Sequence, residues 1–428
     1  MKRMIVWVVS VSLVFGFYMI AGLGATTLTL WDWSGPRMEI VKPYLDEYER
    51  LNPDISFETM VIPWSDYWPK VLAGIAAGTM PDIFHFHNAK TAVFHDALEP
   101  FPEDLFPLDK MRQEYFSFDP AYVFNDRFYF LPGWIMIGVI YYNVDMWEEA
   151  GLGAPPKTWE ELRTIAKALT RYDEKGNVER AGFQFMGEGN MQWLWYDLLY
   201  QQGGWIYNAE GTGVELYSPA GLKALEFIWS LVFQDKVTQP GFLNPWEAFG
   251  TGKAAMIYAW TWTSGWLDYN YPDLKWNVFA LPTESGGNLP ARGRNNYECG
   301  YAVPKGAKNK AEAFRFLKWL WDQDDFIVEL CTKAMGSLPG KLALWDDPRI
   351  QEDKTLRVLA DVVPYTVFPG ELPPWLTGEV MADLETRMID QGVSPDEALQ
   401  IAQQEGDRAF KEKPVEWIVE RQYHPPEE

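Results

Sequence analysis

The feature that most limits what this chain can fold into is the alternation of residue periods between Thr27 and Phe84. Thr27 to Trp31 has the apolar, β-branched character of a strand, and Ile40, Tyr44, Tyr48 and Leu51 then mark one face of a helix whose start is blurred by Pro43. Ile55, Phe57 and Val61 alternate as a second strand. Ser65 is placed to cap a second helix that runs through Leu72, Ile75 and Ala76 to Gly78, and Pro81-Asp82-Ile83-Phe84 opens a third strand. Strand, helix, strand, helix, strand predicts a parallel sheet with right-handed crossovers, and ligands bind such sheets beyond the carboxyl ends of the strands. Here those ends are Trp33-Ser34-Gly35 and His87-Asn88-Ala89.

A chain of 428 residues is too long for one hydrophobic core, so two domains are expected. The second unit opens with the apolar run Val139, Ile140, Tyr141 and Tyr142, which reads as an inner strand ended by Asn143. After Pro155 and Pro156, Thr158 and Glu161 have the spacing of a reciprocal capping box, and Leu162, Ile165, Ala166 and Leu169 give the following helix one apolar face. The alternation resumes through Ala181 to Phe185, the aromatic segment Met191 to Tyr196, and a helix starting at Ser218-Pro219. Lys253 to Trp260 reads as a strand running into the cluster Trp260, Trp262, Trp266. Asn277 to Pro282 and Gly300 to Pro304 are strand-like, separated by a polar Gly-rich segment over which the chain crosses back. A helical run from Ala311 to Met335 follows, then the breaker Gly336-Ser337-Leu338-Pro339-Gly340, then helices that include a capping box from Ser394 to Glu397.

With 37 Lys plus Arg against 60 Asp plus Glu, the formal charge of −23 opposes phosphate backbones and anionic lipids, so nucleic acid is not expected as a partner. Lys2 and Arg3 precede an apolar run from Met4 to Ala21 and the small residues Gly22, Gly24 and Ala25, the pattern of an export signal cleaved near Gly24 or Ala25. The run is also long enough for a retained anchor. No cysteine lies near that point, so lipid attachment of the usual bacterial kind is not expected. Cys299 and Cys331 are the only cysteines and leave open one disulfide or two buried thiols. His85 and His87 point to one face of a strand, but a metal needs three or four ligands; no metal and no cofactor is expected.

Tyr142-Asn143 and Pro156-Lys157-Thr158-Trp159, together with TLTLWDW, AGTMPDIFHF, FGTGKAAMIYAW, GYAVPKGAKNKAEAFRFLKWL and SPDEAL, resemble in order and spacing the family 1 extracellular solute-binding proteins. These are sugar-capturing subunits of ABC importers, with maltose-binding protein among their relatives. The resemblance implies an α/β, two-lobe periplasmic-binding-protein fold of type II, with three crossings between lobes and the ligand in the interlobe cleft. Behind a leader of residues 1–25, it implies one lobe of 26–134 plus 283–338 and another of 135–282 plus 339–428. It implies a monomer outside the cytoplasm that delivers a carbohydrate to membrane permease subunits and performs no chemistry.

A sugar offers apolar C–H faces and rings of hydroxyls, so its site needs flat aromatics and planar polar groups. The first unit places Trp33, Ser34, His87 and Asn88 at strand ends, joined by Trp64 or Tyr67 before the second helix. By resemblance, Trp262 falls on the family's stacking tryptophan, Trp193 near an aromatic in the middle of the second lobe, and Trp375 near a late tryptophan. Arg294, with Arg292, lies in the returning Gly-rich segment, where it could clamp a carboxylate or phosphate. The competing readings are a secreted glycoside hydrolase, which an acidic, Trp-rich exported chain would also suit, and the same fold carrying a phosphorylated polyol or other non-sugar solute. Against the hydrolase, the residues nominate no acid and nucleophile pair.

Overall fold

A computed structural model describes residues 25–370, 372–415, 418–419 and 421–423. The export signal expected at the N-terminus lies outside them. The first five elements follow the periodicity: β1 (Thr26–Asp32), α1 (Gly35–Leu51), β2 (Ile55–Val61), α2 (Trp64–Ala77) and β3 (Ile83–His85). β1 lies between β2 and β3 and is parallel to both, in register from Thr26 opposite Ile55 to Asp32 opposite Val61. Leu28 and Leu30 bury one face of β1 completely. The start of α1 is set by Ser34, whose hydroxyl accepts from the Arg37 N–H, with Pro36 in the first turn; Pro43 is accommodated inside the helix. α2 departs from expectation. It begins one residue before Ser65, behind Pro63, and has no side-chain cap, but it does end at Gly78 in the left-handed region (φ +66°).

The element that joins the two halves is β4 (Phe130–Asn143), 14 residues long and buried at every position except the half-buried Tyr142. It is far longer than the four-residue run read from the sequence, because Phe130 to Gly138 continues the same strand through Pro132 and Gly133. In the second half α3 (Trp159–Leu169) carries both bonds of its capping box, and α4 (Asn190–Gln201) follows. Then come β5 (Met256–Trp260), α5 (Thr263–Asn270), β6 (Trp276–Ala280), β7 (Asn295–Ala302) and the short β8 (Leu338–Pro339). The sheet order is β6-β4-β7-β3-β1-β2, with β5 and β8 also paired to β4.

β4 changes company midway. Up to Ile137 it is antiparallel to β7 and β8; from Gly138 onward it is antiparallel to β5 and β6. At the switch a Cβ on Gly138 would lie 2.2 Å from the Tyr258 hydroxyl and 2.4 Å from Asp197 Oδ2, so only glycine fits. β4 leaves the first lobe, β7 returns to it, and after β8 the chain goes back to the second, whose last helix α6 (Pro395–Glu412) packs on the helix Pro219–Trp229. Ala181 and Gln184 make only isolated bridges, to Ala254 and Ile257, where a strand was expected. The single helix read from Ala311 to Met335 is broken into Lys310–Trp321, Asp324–Glu329 and a π-helical turn Leu330–Met335. Cys331, on that turn, is a buried free thiol and is not in a disulfide. No helix among the described residues is long and apolar enough to cross a membrane.

Candidate functional site

The ends of β1 and β3, with the start of α2, bring one aromatic group together. The Trp33 ring meets the edges of His85 at 4.3 Å, Tyr67 at 4.9 Å and Trp64 at 5.1 Å, and lies 6.4 Å from His87. Trp68, which no sequence signal marked, adds a fifth neighbour at 6.2 Å. Behind Trp33 stands Arg37, its guanidinium 4.9 Å from the ring centroid and doubly hydrogen-bonded to the buried carboxylate of Asp32. Tyr301 also donates to Asp32, at 3.2 Å. Trp64 is 49% exposed and presents a free surface, whereas Tyr67 is fully buried and donates its hydroxyl to the His85 carbonyl at 2.6 Å. Of the two alternatives before the second helix, the structure therefore exposes Trp64 and places Tyr67 in the framework.

Ser34 is committed as the cap of α1. Asn88 is buried and its Nδ2 donates to Asn296 Oδ1 at 2.6 Å, tying the end of β3 to β7. His87 is half-buried, its ring 5.8 Å from that of Trp64. The His85 imidazole is wholly buried, and neither ring nitrogen has a partner among the described residues; burial, then the Arg37 charge, hold its pKa well below the usual imidazole value. Among the described residues no group of three or more His, Cys, Asp or Glu could hold a metal.

A second aromatic group forms where β5 ends. Trp262, half-buried ahead of α5, stacks face to face on Trp246 at 5.6 Å and 21°. Trp193, on α4, meets Trp260 edge-on at 6.2 Å. Arg294 lies over Trp260 at 4.7 Å and over Tyr196 at 5.1 Å, 92% buried, with its Nε 4.0 Å from Asp197 Oδ1. Asp197 accepts from the Tyr258 hydroxyl at 2.6 Å and from the Arg294 backbone N–H at 2.9 Å; burial raises its carboxyl to about 6 even with Arg294 beside it. Asp197, Tyr196 and Trp246 were missed. The available signal was a lone carboxylate in the apolar run Trp193-Leu194-Trp195-Tyr196-Asp197-Leu198-Leu199, since a charge buried in such a helix requires a partner.

Trp375 is not brought to either group. It is buried, edge-on to Phe410 of α6, beside a surface recess lined by Glu379, Asp383, Glu405, Arg408 and Lys413. Trp33, Trp64, Tyr67 and His87 are brought together at the ends of β1 and β3, and Trp193 and Arg294 meet on Trp260, while Trp262 stacks on Trp246, Ser34 caps α1 and Asn88 bonds Asn296.

Against known families, residues 43–358 match the model of the bacterial extracellular solute-binding proteins. The chain belongs to that family. A protein from Brucella abortus named only as a binding protein is 26% identical over 405 residues, covering 91% of this chain and 94% of its own. The arabinooligosaccharide-binding protein of Halalkalibacterium halodurans is 22% identical, with 89% of each covered. Among solved structures, the ABC transporter solute-binding protein of Thermotoga lettingae bound with α-D-tagatose superposes with a TM-score of 0.75 at 22% identity, over 90% of this chain and 99% of that one. The Listeria monocytogenes protein in complex with cycloalternan gives the same score and identity with the same coverage. These structures share the two-lobe fold. Like other bacterial extracellular solute-binding proteins, this one acts outside the cytoplasm.

Proposed function

We propose that this solute-binding protein captures a carbohydrate, an oligosaccharide or glycoside, between its two lobes and presents it to the membrane permease of an ABC importer without altering it. The observation that carries the reading is the pair of aromatic groups, Trp33 and Trp64 on one side, Trp193 and Trp262 on the other, each beside polar side chains. Flat rings match the C–H faces of sugars. Relatives named for arabinooligosaccharides, and one from Streptomyces coelicolor named for diacetylchitobiose, support the same class of cargo. The export signal ending near Gly24 or Ala25 belongs to this proposal, as does a monomeric state.

Hydrolysis would need two carboxyl groups free to act as acid and nucleophile or base. Asp32 and Asp197, beside the aromatic groups, are committed, Asp32 to Arg37 and Tyr301, Asp197 to Tyr258 and the Arg294 backbone. The test is a thermal-shift screen over neutral mono- and oligosaccharides, followed by calorimetry on the best ligand and an assay for reducing-sugar release. Saturable binding without release supports the reading. No stabilisation by any sugar, or release of reducing ends, overturns it.

A further inference from the structure

The molecule contains two buried arginine–aspartate pairs built in opposite ways. In the first, Arg37 donates from Nε to Asp32 Oδ2 at 2.8 Å and from Nη2 to Oδ1, a closed fork that fixes the end of β1 to α1. In the second, Arg294 and Asp197 are side by side but not hydrogen-bonded through their side chains, their nearest atoms 4.0 Å apart. Asp197 directs its oxygens to Tyr258 and to the Arg294 backbone, while the guanidinium is held by the faces of Trp260 and Tyr196. The buried Nε–H of Arg294 has no partner among the described residues, and neither has the Tyr196 hydroxyl. Charge is thus balanced while donor capacity stays open, an arrangement that costs stability unless something else accepts the bonds.

The pair lies where α4 meets β4 and the segment leading into β7. Asp197 projects from α4 against both connecting segments: Gly138 of the outgoing strand, and Gly293, whose Cβ position would lie 3.1 Å from Oδ1, just before the returning one. Trp260, beneath Arg294, contacts Trp193.

Resting on the carbohydrate reading above, we propose that Arg294 is the hydroxyl-reading donor at the floor of the cleft and that Asp197 is its fixed counter-charge. The site then accepts uncharged glycans and rejects those bearing a carboxylate. A charge-balanced guanidinium offers hydroxyl oxygens the donors they accept from. An acidic sugar at the same place meets an arginine already neutralised and a second negative charge within a few ångströms, in surroundings too dry to screen it. This proposal departs from the sequence expectation that Arg294 could clamp a carboxylate or phosphate.

The test uses the full-length protein and calorimetric titration at pH 7.5 with neutral arabino- and gluco-oligosaccharides. For whichever binds, the same chain with one primary alcohol oxidised to the carboxylate is titrated alongside. Wild type is expected to prefer the neutral form by at least about tenfold, and Arg294→Gln to weaken the neutral form by about tenfold or more. Asp197→Asn, nearly isosteric, is expected to narrow the preference at least about tenfold. A measurement independent of variant folding is the pH dependence of wild type. The charged or titratable groups facing Asp197 are Arg294 and Tyr258, and the connecting segments contribute only Gly138 and Gly293. As pH falls from 7.5 to 5, Asp197 takes up its proton and binding of the oxidised glycan should strengthen relative to the neutral one. Equal binding of both forms by wild type at pH 7.5, or undiminished neutral binding in Arg294→Gln, overturns the inference while leaving the carbohydrate reading intact. Failure of wild type to bind any neutral oligosaccharide removes both, and shows before any variant is made.

Discussion

The two aromatic groups differ in how their rings are used. Around Trp33 every neighbour arrives edge-on or tilted, Tyr67, Trp64 and His85 all at 71° to 89°, so this half-buried ring is held on several sides and Trp64 is the most exposed member. At Trp262 the contact is a parallel stack on Trp246, which occupies one face and leaves the ring half-buried. Edge-on packing on several sides immobilises a ring; a stack on one side supports it and keeps a face for another flat group. The two strand-end tryptophans are both half-buried, so what separates them is the number of sides on which each ring is held.

That contrast can be broken by substitution. The largest effect expected is on stability: Trp33→Ala should lower the unfolding free energy by about 2 kcal/mol in denaturant titrations, since a half-buried ring loses contact with five aromatic neighbours. Trp262→Ala should act on binding, with a loss on the order of 1 to 3 kcal/mol, roughly five- to more than a hundredfold in affinity by calorimetry, and little change in unfolding. If Trp33→Ala instead left stability unchanged, or Trp262→Ala left affinity unchanged, the division would fail.

His85 sharpens it through pH. Its folded pKa lies well below the unfolded value near 6.5, so the folded state binds fewer protons there and resists protonation. The associated stability is complete above pH 6.5 and is lost as pH falls below it, by at most about 1.4 kcal/mol per pH unit. His85→Phe should remove that slope, seen as the difference between the two proteins' unfolding free energies between pH 7 and 5. Smaller still, Tyr67→Phe loses the bond to the His85 carbonyl and should cost about 1 kcal/mol of stability with affinity untouched. The smallest change in stability, within about 0.5 kcal/mol, is expected for the exposed Trp64→Ala. It should nonetheless weaken sugar binding in the same titrations.

Much of this architecture was legible in the residues, because local periods and caps are local physics. α1, β2, β3 and the Thr158–Glu161 box lie where spacing put them. What failed was long-range. Ser65 reads as a cap, but Pro63 already fixes the entering backbone and α2 starts at Trp64. β4 is buried on both faces, so it shows no alternation and its first half passed for a connecting segment. Trp33 and Trp64 were correctly placed beside one another, yet Tyr67 and Trp64 could not be ranked, since which ring faces solvent depends on where the His85 carbonyl stands. Asp197 and Arg294 are far apart in sequence and meet only because β4 and the returning segment converge on α4.

The pairing of β7 with β3 and β4 has a consequence for the order in which the molecule can form. His85 sits opposite Tyr301 and Phe130 opposite Ala302, partners separated by long stretches of chain, so the central sheet cannot close until Asn295–Ala302 has been synthesised. Contacts of such separation demand loop closure before they return any stabilisation, and they make folding slow. A nascent chain with this topology stays open until about two-thirds of it exists. Until then Ile83–His85 has its parallel neighbour on one side and an unfilled edge on the other.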